Sequence, residues 1–479
     1  MRDKAKKIKE RKERELKEKL EEEKNSTVKT QRIVIVILIV AILIACIILV
    51  VELFFDKGRS SSSTRPESHE TSSLDHSPGN GTIDEDGSVN LDEDSTEEIP
   101  TITPVNQSSY NVNIIKEFNK ISNRKNYLLS PYNIEIALNM LREGADGHTK
   151  EELDNVLGER VINDVSLDGI VGIANALFVK DIYKDAVNKD YYTTLDKKYH
   201  SEIIYDSFTT PTKINNWVKV KTNGMIEKIL DRMESRFVMG LASALAIDVK
   251  WAKSFDCINT TQEAFTKMDN EKINVEMMHN TYNSGARYFK TSDAKGIVIP
   301  YAKEDNSKVQ LEFVGILPNS DVDYFVNNLT TDKLENILNN QKEAGENLKI
   351  MLSLPRFKYD YTASDFIKIL NNLGINDIFD PNVANFSKMV SDNLGLYVGE
   401  AIHKTHIELN ELGTKAAAIT YFGLNKSSVD LNENQEKVEI KFDKPFAYMI
   451  REKNTGEILF FGVVFEPNIW NGQTCSNSN

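Results

Sequence analysis

Three cysteines in 479 residues are too few for a disulfide framework. Cys46, Cys257 and Cys475 stand far apart, with neither paired nor metal-ligand spacing, so the fold is expected to rest on its core. A basic excess is also missing: the net charge of -14 excludes a general nucleic-acid binder, which carries a positive footprint. The chain has no G-x-S-x-G elbow, no H-E-x-x-H helix and no P-loop, the motifs that carry common hydrolytic, zinc and nucleotide chemistry. Seven histidines are scattered. His403 and His406, three apart in a predicted strand, point to opposite faces, which is poor geometry for a shared metal. A lone histidine such as His403 reads instead as a hydrogen-bonded core group. No cofactor, no metal and no catalytic residue is expected, and the chain does not read as an enzyme. A strict βαβ repeat and internal sequence repeats are absent.

One long apolar run is present. Residues 33 to 51, "IVIVILIVAILIACIILVV", are nineteen uncharged positions, continued after Glu52 by "LFF", and they meet the length a membrane-spanning helix needs. Residues 1–32 carry thirteen Lys or Arg against eight acidic side chains and read as a charged cytoplasmic arm. Basic flanks stay inside, so the chain is expected to cross once through residues 33–55 with its C-terminal part outside. A cleaved signal peptide, and hence secretion, is the alternative; the run is long for that and lacks a small-x-small cleavage site. "LIAC" at Cys46 resembles a bacterial lipobox, but the apolar run continues past it. Residues 56–108, rich in Ser, Asp, Glu, Gly and Pro, read as a disordered stalk, because they cannot bury enough apolar surface to offset the entropy of ordering. Residues 109–468 form the body and 469–479 a tail.

The body has mixed α and β periodicity. Helical spacing is found over 111–121. "YLL" reads as a buried strand before a helix opened by Ser130-Pro131, with proline in the first turn. Thr149, three residues before Glu152, resembles an N-cap. "KINNWVKVKTNGMIEKILD" reads as a helix broken at Gly224, "SDFIKILNNLG" as a helix closed by Gly374, and "LYVGEAIHKTHIELNE" as a long strand. Two late strands meet at "NTGE", a hairpin signal. Helices dominate early and strands late.

An ordered series of segments then carries a resemblance. "YLLSPYNIEIALNMLREGA", "NNWVKVKTNGMIEKIL" with Trp217, Thr222, Gly224 and Ile226, "LPRFKYDYTASDFIKILNNLGINDIFD", "ANFSKM", "GEAIHKTHIELNELGTKAAAIT", "DKPFAYMI" and "TGEILFFGVV" occur in the order found in serpins. Over residues 111 to 468 the body resembles that family, in a bacterial, membrane-anchored form suited to a Gram-positive surface. The resemblance implies an α+β fold with a large mixed main β-sheet, further β-sheets, about eight to nine helices and an exposed reactive-centre loop. It implies a suicide-substrate inhibitor of extracellular serine, or cysteine, proteases, working as a monomer. A protease cleaves the loop, becomes esterified to it, and is trapped as the loop inserts into the main sheet.

On that resemblance the hinge comprises Glu411, Gly413, Thr414, Lys415, Ala416, Ala417, Ala418, Ile419 and Thr420. Small side chains suit a segment that must slide between strands, where bulk or charge would cost packing or desolvation. Thr414, Ala416, Ala418 and Thr420 share one face under period two; Lys415, Ala417 and Ile419 share the other. The reactive bond is placed at Ser427-Ser428 by counting from Gly413, whereas counting back from Pro445-Phe446 reaches Asn434. Ser427 suits subtilisin- or elastase-like targets; Lys426 as the primary residue would suit a trypsin-like one. Ser130, Pro131 and His403 match the family's shutter and Trp251 the top of the sheet. Ser243 stands where the family has an asparagine, a departure that puts the energetics of sheet opening in doubt. A non-inhibitory binding or scaffold protein at the cell surface is the alternative, and it would call for a bulky or proline-bearing hinge.

Overall fold

The computed structural model describes residues 108–166, 171–303, 307–363, 365–390, 394–414 and 435–467. The arm, the apolar run, the stalk, Lys415 to Asn434 and the tail from residue 468 lie outside them, so the expectations placed there are carried forward as proposals.

Helices come first. Ser108 caps α1 (Ser109–Ile121) by accepting the Asn111 amide. The strand β1 (Tyr127–Leu129) is wholly buried. Ser130 caps α2 (Pro131–Gly144) by accepting the Asn133 amide, and Pro131 fills a first-turn position whose N–H would have no helical partner. Next come α3 (Gly147–Leu157), β2 (Val171–Lys180), α4 (Lys189–Tyr199), β3 (Glu202–Asp206) and α5 (Thr212–Lys221). The central strands are β4 (Met239–Ile247), β5 (Val249–Lys250), β6 (Thr261–Thr266), β7 (Lys272–Tyr282), β8 (Arg287–Lys290), β9 (Ala294–Pro300) and β10 (Leu311–Pro318). After α6 (Val322–Asn327) and α7 (Thr331–Asn339) come β11 (Gln341–Glu343), β12 (Leu348–Pro355) and β13 (Phe357–Thr362). Gly374, at φ +102°, closes α8 (Phe366–Leu373) as a left-handed cap. The chain continues through β14 (Lys404–Leu409), β15 (Gly413–Thr414), β16 (Glu436–Lys441), β17 (Phe446–Glu452) and β18 (Ile458–Val464). This is the expected α+β architecture, with eight α-helices among the described residues.

Seven strands in the order β1-β18-β17-β10-β9-β8-β11 make one sheet, and β16-β12-β7-β6 make another. β17 and β18 are buried at every position, which accounts for their continuous apolar runs. The main sheet has two halves, β3-β2-β4 and β13-β14-β15-β5. Only Asp248 separates β4 from β5, so the halves are joined through one strand.

Four local expectations are corrected. Thr149 does not cap α3; Asp146 precedes the helix, and the Thr149 hydroxyl accepts the Asn385 amide instead. α5 ends at Lys221 rather than breaking and resuming, because Thr222 Oγ1 accepts the Ile226 amide and Gly224 turns at φ +76°. The strand expected over 396–411 is confined to Lys404–Leu409, the six residues that face β13. Cys257 is disulfide-bonded, which three widely spaced cysteines did not lead one to expect.

Candidate functional site

The main sheet contains a slot. β14 pairs antiparallel with β15, and β15 pairs antiparallel with β5, so β14 and the β4–β5 strand run parallel to each other. Below β15 no ladder joins β4 to β14 among the described residues. Leu245 and Ile247 line one side of the gap and Ile407 the other, with Thr414 at its head. Two parallel strands one strand-width apart can accept an antiparallel strand hydrogen-bonded on both edges. β15, two residues long, is bonded in this way on both edges.

The head of the slot is built for a small residue. A Cβ on Gly413 would lie 2.0 Å from the Val249 carbonyl oxygen and 2.8 Å from Lys250 Cα, so glycine alone fits this approach. Thr414 sits opposite both Leu409 and Val249, is buried, and its Oγ1 lies 2.6 Å from the Tyr301 hydroxyl. Burial pushes the Tyr301 phenol well up, so it stays a hydroxyl at neutral pH. Trp251 stacks on Tyr301 at 4.6 Å between centroids. Its indole N–H donates to Asn410 O and its amide to Leu412 O, both at 2.9 Å. The tryptophan assigned to the top of the sheet therefore holds the turn leading into the hinge from both ends.

Glu411 is buried in that turn. Its carboxylate accepts the Thr260 hydroxyl at 2.8 Å and faces the Arg356 guanidinium at 3.5 Å. Its carbonyl accepts the Phe255 amide at 2.9 Å. Arg356 also pairs with Glu276, and burial draws its pKa below the usual arginine value while the Glu411 charge opposes the fall. A buried ion pair adds little net stability, but losing one partner strands the other. The turn before β15 is thus latched by a charge as well as by backbone pairing.

Two of the residues expected to form a shutter, Ser130 and His403, are in contact. His403 Nε2 accepts the Ser130 amide at 3.1 Å, against the rings of Phe118 and Phe366. Burial depresses its pKa to about 3, so the imidazole is neutral and its Nε2 lone pair is free to accept. On the other side, Asn133 Nδ2 donates to Ser243 O at 2.8 Å. Ser243 Oγ lies 2.5 Å from Asn133 Oδ1 and 2.7 Å from Asn175 Oδ1, and Asn175 Nδ2 donates to Tyr199 O. The N-terminus of α2 therefore bridges the gap, with Ser130 tied to the β14 side and Asn133 to β4. The asparagine absent at Ser243 has its amide function supplied by Asn133 and Asn175.

Sequence reasoning missed Asn133, Asn175, Tyr301, Arg356 and Val249. Asn133, three residues after the cap Ser130, could have been flagged; the others lie too far away in sequence to be linked to the hinge by spacing. Of the hinge, Glu411, Gly413 and Thr414 are brought to the slot, while Lys415, Ala416, Ala417, Ala418, Ile419 and Thr420, with Lys426, Ser427 and Ser428, lie outside the described residues. One group among the described residues could hold a metal, His148, Glu152 and Asp377. Its members already satisfy one another: His148 Nδ1 lies 2.7 Å from Asp377, and Glu152 accepts the amides of Asn376 and Asp377.

Comparison with known proteins agrees with this geometry. Residues 105–467 match the family model described as serpin (serine protease inhibitor), an inhibitor family rather than an enzyme family. A serpin-like protein of Methanosarcina mazei is 30% identical over 372 residues, 72% of this chain and 83% of that protein. Human neuroserpin is 25% identical, over 75% of this chain and 90% of its own. The crystal structure of the thermophilic serpin tengpin in its native state superposes with a TM-score of 0.64 at 30% identity, covering 76% of this chain and 96% of that one. Its latent state gives a TM-score of 0.61.

Proposed function

The chain belongs to the serpin family, and from that premise we propose that it is a suicide-substrate inhibitor of extracellular serine proteases, held at the cell surface by residues 33–55. The observation that carries this reading is the pairing of Gly413 and Thr414 at the head of a slot that no strand fills among the described residues. Thr414 opposes Val249 on one edge and Leu409 on the other. In both antiparallel registers each further residue of an inserted strand pairs one position earlier along its neighbour. Ala416 would then fall between Ile247 and Ile407, Ala418 between Leu245 and Thr405, and Thr420 between Ser243 and His403. All of those neighbours except the half-buried Ser243 are buried, so the even-numbered hinge positions face the core. Alanine and threonine enter there without displacing anything; Lys415, Ala417 and Ile419 take the other face.

The chemistry belongs to the target. Its serine attacks the carbonyl carbon of Ser427, the Ser427–Ser428 bond breaks, the new amine leaves with a proton, and an ester remains. The freed strand zips down the slot before water reaches the ester. Proteases with a small primary pocket, subtilisin- or elastase-like, fit Ser427; a trypsin-like enzyme would use Lys426.

The test mixes the full chain in detergent with such proteases. The expected result is an adduct that survives boiling in detergent and a released fragment beginning at Ser428. A start at Ser427 would assign the site to Lys426. Thr414→Arg would have to bury an unpaired charge, and it should turn the inhibitor into a substrate. Clean cutting of the unaltered chain by every enzyme, with no adduct, would overturn inhibition and favour a surface binding protein.

A further inference from the structure

A buried cluster of charge joins three strands of the seven-stranded sheet. Arg451 on β17 stands opposite Glu312 on β10, and Arg287 reaches the same carboxylate from β8. Arg451 Nη2 donates to Glu312 Oε2 at 3.0 Å, and Arg287 Nη2 donates to Glu312 Oε1. Arg287 Nε donates to Gln341 Oε1 at 2.6 Å. Glu312 is 0% exposed and Arg451 3%, so this pair is out of solvent. Two guanidinium groups thus share one buried carboxylate. The neighbouring acids do not make up the difference. Glu452 turns its carboxylate to Gln310, Asn454 and Thr455, and Glu343, opposite Arg287 on β11, is exposed. Arg451 is left short of acceptors: its Nε and Nη1 are buried, and among the described residues neither has a hydrogen-bond partner. A buried charged donor without an acceptor is costly, and a guanidinium does not escape the cost by losing its proton. A water would accept a hydrogen bond but leave the charge; an anion answers both. β17 shifts register between Ile450 and Arg451, the kind of irregularity that re-aims a side chain. Arg287 is half-buried, so the cluster meets solvent on the β8 side and an ion has a way in.

We propose that the unpartnered N–H groups of Arg451 hold a small monovalent anion, of the size and charge of chloride, as a fixed part of the seven-stranded sheet. The ion brings the cluster of Arg287, Glu312 and Arg451 to two positive and two negative charges. A monovalent anion matches the excess of one charge, which a divalent anion such as sulfate would overshoot. Because the site exists only where β8, β10 and β17 are paired, the ion binds the folded chain and not the unfolded one, and halide becomes a stabilising ligand of the body. The site is independent of the inhibitor reading, since neither the slot nor the hinge uses these groups.

Two measurements on the full chain in detergent decide this. The first is urea unfolding at fixed ionic strength, with gluconate exchanged for chloride. For one site, a tenfold rise in chloride above its dissociation constant should lower the unfolding constant by about tenfold, and Arg451→Met should remove the dependence. That variant leaves Glu312 paired with Arg287, so no carboxylate is stranded. An equal chloride effect in the variant would put the ion elsewhere and overturn the proposal, as would no effect in the unaltered chain. The second is diffraction from crystals of the unaltered chain soaked in bromide, which does not depend on how the variant folds. An anomalous peak is expected within hydrogen-bond distance of Arg451 Nε or Nη1. An ordered water there in place of bromide would refute the anion. A bromide peak with no chloride effect on unfolding would mean an adventitious ion only, and would equally overturn the site.

Discussion

Acid should open the sheet through one histidine. His403 Nε2 must be unprotonated to accept the Ser130 amide, and this bond ties the α2 N-terminus to the β14 side of the slot. Burial among Phe118 and Phe366 lowers its pKa to about 3, against about 6.5 in the unfolded chain. A depressed folded-state pKa means the unfolded chain binds the extra proton first. The stabilisation is therefore full above pH 6.5 and is lost progressively as pH falls from there towards 3. Between pH 7 and pH 4.5 the linkage amounts to about 2.5 kcal/mol, because each unit of difference is worth about 1.4 kcal/mol. Other groups titrate in the same window, so the measurement is a difference: urea unfolding at both pH values for the unaltered protein and for His403→Gln. The variant is expected to be less stable at pH 7 but to lose about 2.5 kcal/mol less on acidification. Equal losses in the two proteins would refute the assignment of a neutral, buried, accepting imidazole.

Further outcomes follow from the same geometry. Gly413→Ala places a methyl against the Val249 carbonyl and should expel β15 from the sheet, which limited proteolysis of the hinge would detect as faster cutting. Glu411→Gln leaves Arg356 facing Glu276 alone and should cost about 1–3 kcal/mol in urea unfolding; an unchanged midpoint would remove the latch role. Cleaving the loop should add a strand bonded on both edges, worth on the order of 10 kcal/mol at roughly 1 kcal/mol per bond, and raise the unfolding temperature far above that of the intact chain. Equal temperatures for intact and nicked protein would sink the insertion model. Protease added to intact cells should release the body; a protected body would reverse the proposed topology.

Much of this protein was legible from local pattern. Ser130-Pro131 announces a capped helix because a hydroxyl acceptor and a residue without an N–H are what a first turn needs. Gly374 announces a helix end because it enters the left-handed region at no steric cost. The alternation of Thr414, Ala416, Ala418 and Thr420 is a statement about two faces, and period two makes it readable without coordinates. The extent of β14 was not readable in this way, because apolar alternation from Leu396 continues past the point where β13 stops offering hydrogen bonds. The compensation at Ser243 was hidden for a related reason: Asn133 and Asn175 lie 110 and 68 residues away and meet it only after α2 docks under β4 and β2 pairs with it. The same holds for Glu411 and Arg356, 55 residues apart, and for Thr414 and Tyr301, 113 apart. Side-chain type and spacing determined most of the elements. Which strands lie parallel on either side of β15, and which buried groups meet around it, depends on contacts distant in sequence, and only the packed sheet decided them.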